Sequence, residues 1–157
     1  MNNLSTPITQ YLDKQGIEYK VLPQEKQTTS IEETAAQRGI NPAVMVKSIL
    51  LRDMDENYIL ACVPGNKSVD PKKIRAQLSC RRVTCVAAHQ VQEVTGFEVG
   101  TVTPLLLPKN FAILFDVSLQ AQKTVTISSG NKQFGLELLS QSLLPLCSPI
   151  LADICRT

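Results

Sequence analysis

The chain has no tryptophan, and its only aromatic residues are four Phe and three Tyr among 157 residues. Stacking platforms for single-stranded nucleic acid need several exposed rings, so a binder of that class is not expected. Histidine occurs once, at His89, and none of the five cysteines (Cys62, Cys80, Cys85, Cys147, Cys155) forms a Cys-x-x-Cys pair. The spacing of a zinc site is therefore missing. No apolar run approaches the roughly 20 residues of a membrane-spanning helix. There is no P-loop, no Gly-x-Gly-x-x-Gly turn, no Gly-x-Ser-x-Gly elbow and no internal repeat. Excess charge is small too: a net +2 and a pI near 8.3 permit contact with RNA but fall short of a dedicated duplex binder. An odd set of scattered cysteines without a signal peptide points to reduced thiols in the cytoplasm.

What is present suits a folded domain. Hydrophobic residues make up 43% and charged residues 19%, and the length predicts one domain over residues 1–157. Ser5 or Thr6 with Pro7 starts a first helix, stopped at Gln15-Gly16, and residues 17–22 alternate as a strand ended by Pro23. A polar loop over 24–29 leads to a helix capped by Ser30 and ended at Arg38-Gly39. Asn41-Pro42 starts a short turn before strands at 46–52 and 58–64. Asp70-Pro71 opens another helix, 81–85 reads as a short strand, and 87–95 as a helix closed by Gly96. Residues 97–108 are turn-rich, 111–116 and 124–128 are strands, 118–123 a turn, 136–144 a helix broken by Pro145, and 150–154 a last short strand or turn. About six strands and four or five helices, some strands adjacent and some separated by helices, give a mixed α/β (α+β) class rather than a regular doubly wound sheet.

Within this pattern residues 39–51 stand out, because Lys47 is the only charge in an apolar run with Val44, Met45, Val46, Ile49, Leu50 and Leu51. An unpaired ammonium is costly to desolvate. Lys47 therefore either reaches out to water along its apolar stem or points into a polar pocket shaped for its charge.

The remaining chemistry is sparse. His89 follows two alanines on a surface helix or its cap and makes a poor triad base. Cys62, Cys85 and Cys147 lie among apolar neighbours, as inert core thiols do. Cys80, beside Arg81 and Arg82, is the most activated thiol, in an exposed turn. Lys47, the loop Gly100-Thr101-Val102-Thr103-Pro104 and the turn Ser128-Ser129-Gly130 are left. A lysine, backbone N–H groups from glycine turns and hydroxyls can bind a phosphate or a developing oxyanion and orient water.

These segments, in this order, resemble the YbaK and prolyl-tRNA-synthetase-associated editing domain family. The similarity covers the run around Lys47, then Val63-Pro64-Gly65, Val69-Asp70-Pro71-Lys72-Lys73-Ile74, Glu93-Val94-Thr95-Gly96-Phe97-Glu98-Val99-Gly100 with the following Thr101-Val102-Thr103-Pro104, Ile127-Ser128-Ser129-Gly130, and Leu151-Ala152-Asp153-Ile154. The resemblance implies a twisted mixed β-sheet or barrel flanked by helices, with a cleft on one side. It implies a trans-acting aminoacyl-tRNA deacylase that hydrolyses the ester of mischarged tRNA, without metal or cofactor. Lys47 then contacts the terminal adenosine, phosphate or ester, and Thr103 positions the attacking group. Gly100, Thr101 and Pro104 cradle the aminoacyl moiety, and Ser128, Ser129 and Gly130 line the same cleft. The partners implied are the 3′ end of aminoacyl-tRNA and an aminoacyl-tRNA synthetase, with neither DNA nor a membrane.

The chain also departs from the family pattern. Where deacylases read Gly-Gly-x-Ser-Pro-x-Gly, this chain has Thr101, Thr103 and Leu106 for the second glycine, the serine and the closing glycine. A tyrosine after the first strand is replaced by Pro23-Gln24, and a basic pair by Asn131-Lys132. These changes give a second reading, a non-catalytic module that holds tRNA, a nucleotide or a synthetase. Thr103, Ser128 and Ser129 are equally readable as turn-capping hydroxyls. Lys72, Lys73, Arg75, Arg81 and Arg82 are either a solvated face or an acceptor-stem contact.

Overall fold

Three helical segments begin where a capping side chain is followed at once by proline, whose fixed φ suits the first helical position. In the computed structural model, which describes residues 4–24, 26, 28, 30–107 and 111–157, Thr6 caps α1 (Pro7–Lys14) and Asp70 caps α3 (Pro71–Leu78). Asn41 caps a 3-10 turn, Pro42–Val44. Ser30 accepts the Glu33 N–H at the start of α2 (Ile31–Arg38), which ends on Gly39 at φ 69°. Parts of the expected 24–29 loop, and Pro108, lie outside the described residues.

The described residues form eight strands in two sheets. Strands β2 (Val46–Asp53), β3 (Tyr58–Pro64), β4 (Val83–Cys85), β5 (Ala112–Asp116) and β8 (Ile150–Ala152) make one sheet in the order β4-β2-β3-β5-β8. β2 pairs antiparallel with β3 and β4, while β3–β5 and β5–β8 are parallel. Parallel neighbours need crossovers. The first runs through α3, β4 and α4 (Ala88–Thr95), and the second through α5 (Val117–Gln120), two strands of the other sheet and α6 (Ser140–Cys147). The second sheet is antiparallel, in the order β1 (Lys20–Pro23), β7 (Phe134–Leu139), β6 (Thr124–Ser128). A parallel bridge between Met45 and Thr126 ties the two sheets at the start of β2.

Alternation along β3 explains why this strand is apolar throughout. Leu60 and Cys62 join the core shared with Phe115, Val125, Phe134 and Leu136, while Ile59, Ala61 and Val63 face a second core with Ile74, Leu114 and Ile154. The mixed α/β class and the sheets flanked by helices follow the expectation.

Several elements differ from it. Residues 136–144 are not one helix: β7 ends at Leu139 and α6 begins at Ser140. Phe134, Leu136 and Leu138 are buried with the period of a strand, and β1 and β6 supply partners on both sides. Pro145 does not break the helix but sits inside α6, which runs two residues further to Cys147. The first strand is shorter than residues 17–22, because the Ile17 N–H closes α1 on the Leu12 carbonyl at 2.9 Å. Pro23 is its last residue, tolerated because β1 is an edge strand. The expected turn at 118–123 contains the single-turn helix α5. No helix among the described residues is long and apolar enough to cross a membrane.

Candidate active site

A cleft of about 600 Å³ opens where the two sheets meet, between the start of β2, one face of α2, the end of β6 and the 99–102 loop. Lys47, Gly100 and Ser128 line it. Lys47 enters because β2 begins one residue before it, at the seam with β6. Its Nζ donates to the Lys67 carbonyl and, at 3.5 Å, to the Gly65 carbonyl, both in the loop after β3. The ammonium is thus anchored on two neutral carbonyls at the edge of the cleft.

The two loops are sewn together beside it. Ser128 Oγ donates to the Thr101 carbonyl at 2.8 Å and accepts the Gly130 N–H at 3.1 Å. Thr101 is buried, with its N–H and hydroxyl both on the Glu98 carbonyl. Gly100, at φ 88°, turns the chain so that the 99–102 segment faces the cleft. Among the described residues, the N–H groups of Gly100 and Val102 have no acceptor in the protein. Those of Gly130 and Asn131 are already taken, by Ser128 Oγ and Ser129 Oγ.

Other residues singled out from sequence lie away from the cleft. Ser129 is fully buried and closes the β6–β7 turn, its Oγ donating to the Phe134 carbonyl at 2.6 Å. Gly130, at φ 89°, packs beneath Phe97. Pro104 lines a separate depression of about 220 Å³ with Tyr11 and Leu146. Thr103 is fully buried, and its Oγ1 is a buried polar atom without a hydrogen-bond partner.

Three residues that line the cleft carry no sequence motif. Arg38, at the end of α2, lays its guanidinium against β7, and its Nε donates to Gln24 Oε1 at 3.1 Å. Burial pulls its pKa below the usual arginine value. Thr126 is 2% exposed, lines the cleft, and makes no side-chain hydrogen bond within the described protein. Cys85 is exposed on the cleft wall, contrary to the expectation of a core thiol, because β4 is an edge strand. The positions that depart from the family pattern, Gln24, Asn131 and Lys132, also line the cleft.

Burial pushes the Cys62 thiol far up and Cys147 up to about 12, so neither is a nucleophile at neutral pH. His89 is exposed on α4 and outside the cleft. In the basic stretch, Lys73 is committed to Asp153 at 3.1 Å and to the Cys155 carbonyl at 2.7 Å. Arg81 and Arg82 are exposed. Among the described residues no three His, Cys, Asp or Glu side chains cluster as a metal site requires. None of the described residues that line the cleft is a carboxylate or an imidazole, whereas three are cations: Arg38, Lys47 and Lys132.

Comparison with known proteins gives the family of the chain. The aminoacyl-tRNA editing domain matches residues 25–145. An uncharacterised protein YwhH of Bacillus subtilis is 27% identical over 133 residues, 84% of each chain. A proline–tRNA ligase of Bacillus licheniformis is 30% identical over 105 residues, 67% of this chain but 18% of the ligase. A candidate Cys-tRNA(Pro)/Cys-tRNA(Cys) deacylase, EbsC of Enterococcus faecalis, is 23% identical over 80% of this chain and 76% of its own. Among solved structures, hypothetical protein APE2540 superposes with a TM-score of 0.87 at 25% identity, over 95% of this chain and 99% of that one. A candidate trans-editing enzyme for prolyl tRNA synthetase superposes with a TM-score of 0.84 at 22% identity, over 98% and 99% of the two chains. The match extends across the cleft, from Gln24's neighbour to α6, and on it the chain belongs to the aminoacyl-tRNA editing domain family.

Proposed function

We propose that the chain is a trans-acting aminoacyl-tRNA deacylase, which hydrolyses the ester joining an amino acid to the ribose of a mischarged tRNA. The observation that carries this reading is the cleft itself, lined by an anchored lysine, two further cations and a loop with free N–H groups, in a chain of the editing family. Such a site binds a polyanion and stabilises an oxyanion.

In the proposed reaction, water attacks the ester carbonyl carbon. The carbonyl oxygen gains charge, which the Lys47 ammonium and the N–H groups of Gly100 and Val102 offset. The tetrahedral intermediate then collapses, the carbon–oxygen bond to the ribose breaks, and the ribose hydroxyl departs with a proton. With no carboxylate or imidazole among the described residues of the cleft, the neighbouring ribose hydroxyl of the substrate relays the water's proton to the departing ribose oxygen. Thr126 is placed to orient the water.

Purified protein incubated with a panel of tRNAs charged with Ala, Cys, Ser or Thr, cognate and non-cognate, tests the reading. Hydrolysis of one mischarged species above the spontaneous rate is expected. Binding of tRNA without hydrolysis across the panel overturns it in favour of a holding module.

The reading places the chemistry on Lys47 and leaves Thr103 in the wall behind the loop. An unpaired buried hydroxyl costs about 1–3 kcal/mol. Thr103→Val, close in shape, is therefore expected to raise the unfolding free energy by about 1 kcal/mol and to leave turnover unchanged. Denaturant melts and turnover measured on one preparation check both halves, and a loss of turnover returns Thr103 to the chemistry.

A further inference from the structure

Arg38 has more charge than its surroundings use. Its guanidinium is half-buried, and its only hydrogen bond among the described residues is from Nε to the neutral Gln24. Salt bridges among the described residues are Lys73–Asp153 and Lys132–Glu98, so neither engages it. A partly desolvated cation without a carboxylate carries a penalty that an arriving anion relieves.

The position of the guanidinium depends on one other residue. A Cβ built on Gly135 of β7 would lie 2.3 Å from Arg38 Nη1 and 2.9 Å from Cζ. Only the missing side chain at Gly135 lets the planar group lie flat against the strand. That contact, with the bond to Gln24, fixes the fork: Nη1 packs against Gly135, Nε is on Gln24, and neither Nη group has a hydrogen-bond partner among the described residues. A fixed planar fork is suited to a phosphate, which it can grip with two parallel N–H bonds.

Two features select which part of a substrate belongs there. The cleft volume of about 600 Å³ takes a nucleotide-sized group. The α-ammonium of an aminoacyl ester is repelled by Arg38, Lys47 and Lys132, so the phosphate end of the substrate goes to the cations. Of these, Lys132 already pairs with Glu98 at 3.8 Å on the exposed rim, and Lys47 is aimed by two carbonyls.

Resting on the deacylase reading for the identity of the ligand, we propose that Arg38, seated on Gly135, is the phosphate-binding residue of the cleft and takes the phosphodiester that precedes the terminal adenosine of the tRNA. Arg38 is a binding residue on this account. Its loss raises KM for aminoacyl-tRNA and leaves kcat in place.

The test is an NMR titration of the whole chain with the dinucleotide CpA and with its uncharged methylphosphonate analogue. The wild type is expected to bind CpA about tenfold more tightly than the analogue. Arg38→Gln and Gly135→Ala should each erase that difference, the second without removing any charge, because the new methyl group displaces the guanidinium. Lys132→Gln should keep most of it. Equal binding of the two ligands by the wild type, or a difference that survives either Arg38→Gln or Gly135→Ala, overturns the proposal. A difference that depends on Arg38, in a protein that hydrolyses nothing in the panel, overturns the deacylase reading alone.

Discussion

Lys47→Ala is expected to slow single-turnover hydrolysis of the best substrate in the panel by about 10²- to 10³-fold, the loss typical of removing one preorganised oxyanion donor. The size follows from where the ammonium is held. Lys47 Nζ is tied to the carbonyls of Gly65 and Lys67, so its orientation is set before substrate arrives. A charge that need not reorganise acts mainly on the transition state, and kcat should fall more than KM rises. Lys47→Met keeps the apolar stem and removes the charge, so it should match the alanine variant in rate and the wild type in melting temperature. Lys47→Arg should not restore activity, since a planar fork cannot occupy the place of a point charge between two carbonyls. Full turnover by Lys47→Met would remove Lys47 from the chemistry. Loss of melting temperature in parallel with activity would make its role structural.

Lys47 was legible in the sequence for a reason that does not depend on fold. A lone charge in an apolar run must be solvated somehow, and the run itself, residues 39–51, supplied a capped turn and a strand to hold it. Helix starts were legible for a similar reason, because a cap followed by proline acts within three residues. The 136–144 segment was not. Leu136, Leu139, Leu143 and Leu144 fit one helical face, while Phe134, Leu136 and Leu138 fit one strand face. The tie is broken by β1 and β6, which lie far away in the chain. Arg38 and Thr126 were hidden in the same way. Each belongs to the cleft only because the Arg38 side chain reaches Gly135 of β7 and because Met45 pairs with Thr126, and neither contact leaves a local pattern.

The altered loop accommodates its sequence departures residue by residue. Leu106 stands where the family pattern closes with glycine, and it holds φ 58°, the left-handed region that glycine enters freely. The side chain at this position is 45% exposed and lines the separate depression beside Pro104, not the cleft. Thr101, at the second glycine position, is not left-handed; its hydroxyl adds a bond to Glu98 and tightens the turn. Thr101, Thr103 and Leu106 thus do not line the cleft, and the lining residues Gly100 and Val102 keep their N–H groups free.

Asp116→Ala is expected to destabilise the fold by about 3 kcal/mol, because it strips the hydrogen bonds of a buried carboxylate and leaves a buried N–H unpaired. Asp116 ends β5 and is 4% exposed. One oxygen accepts the Ser118 N–H at 3.0 Å and the Ser118 hydroxyl, starting α5, and the other accepts the Ile154 N–H at 2.9 Å. Ile154 is fully buried in the second core, and its carbonyl in turn accepts the Asp70 N–H at 2.8 Å at the cap of α3. One carboxylate therefore holds the C-terminal segment to both. Burial raises the Asp116 pKa, but the hydrogen bonds from Ser118 and Ile154 outweigh it, and the net shift is downward from 3.8. An acid depressed in the folded state adds stability that is complete above the unfolded pKa near about 3.9 and is lost as pH falls through the folded value. Wild-type stability should thus fall on acidification below pH of about 4, helped by Asp53, which its bonds from Asn57 also hold low. Asp116→Asn retains an acceptor for Ile154 but turns an amide N–H₂ toward the Ser118 N–H. It should be destabilised at neutral pH by less than the alanine variant, and the gap between it and the wild type should narrow in acid. Urea melts of the three proteins from pH about 3 to 7 read this directly. A gap that is constant across that range would mean that Asp116 acts through its shape and not through its charge.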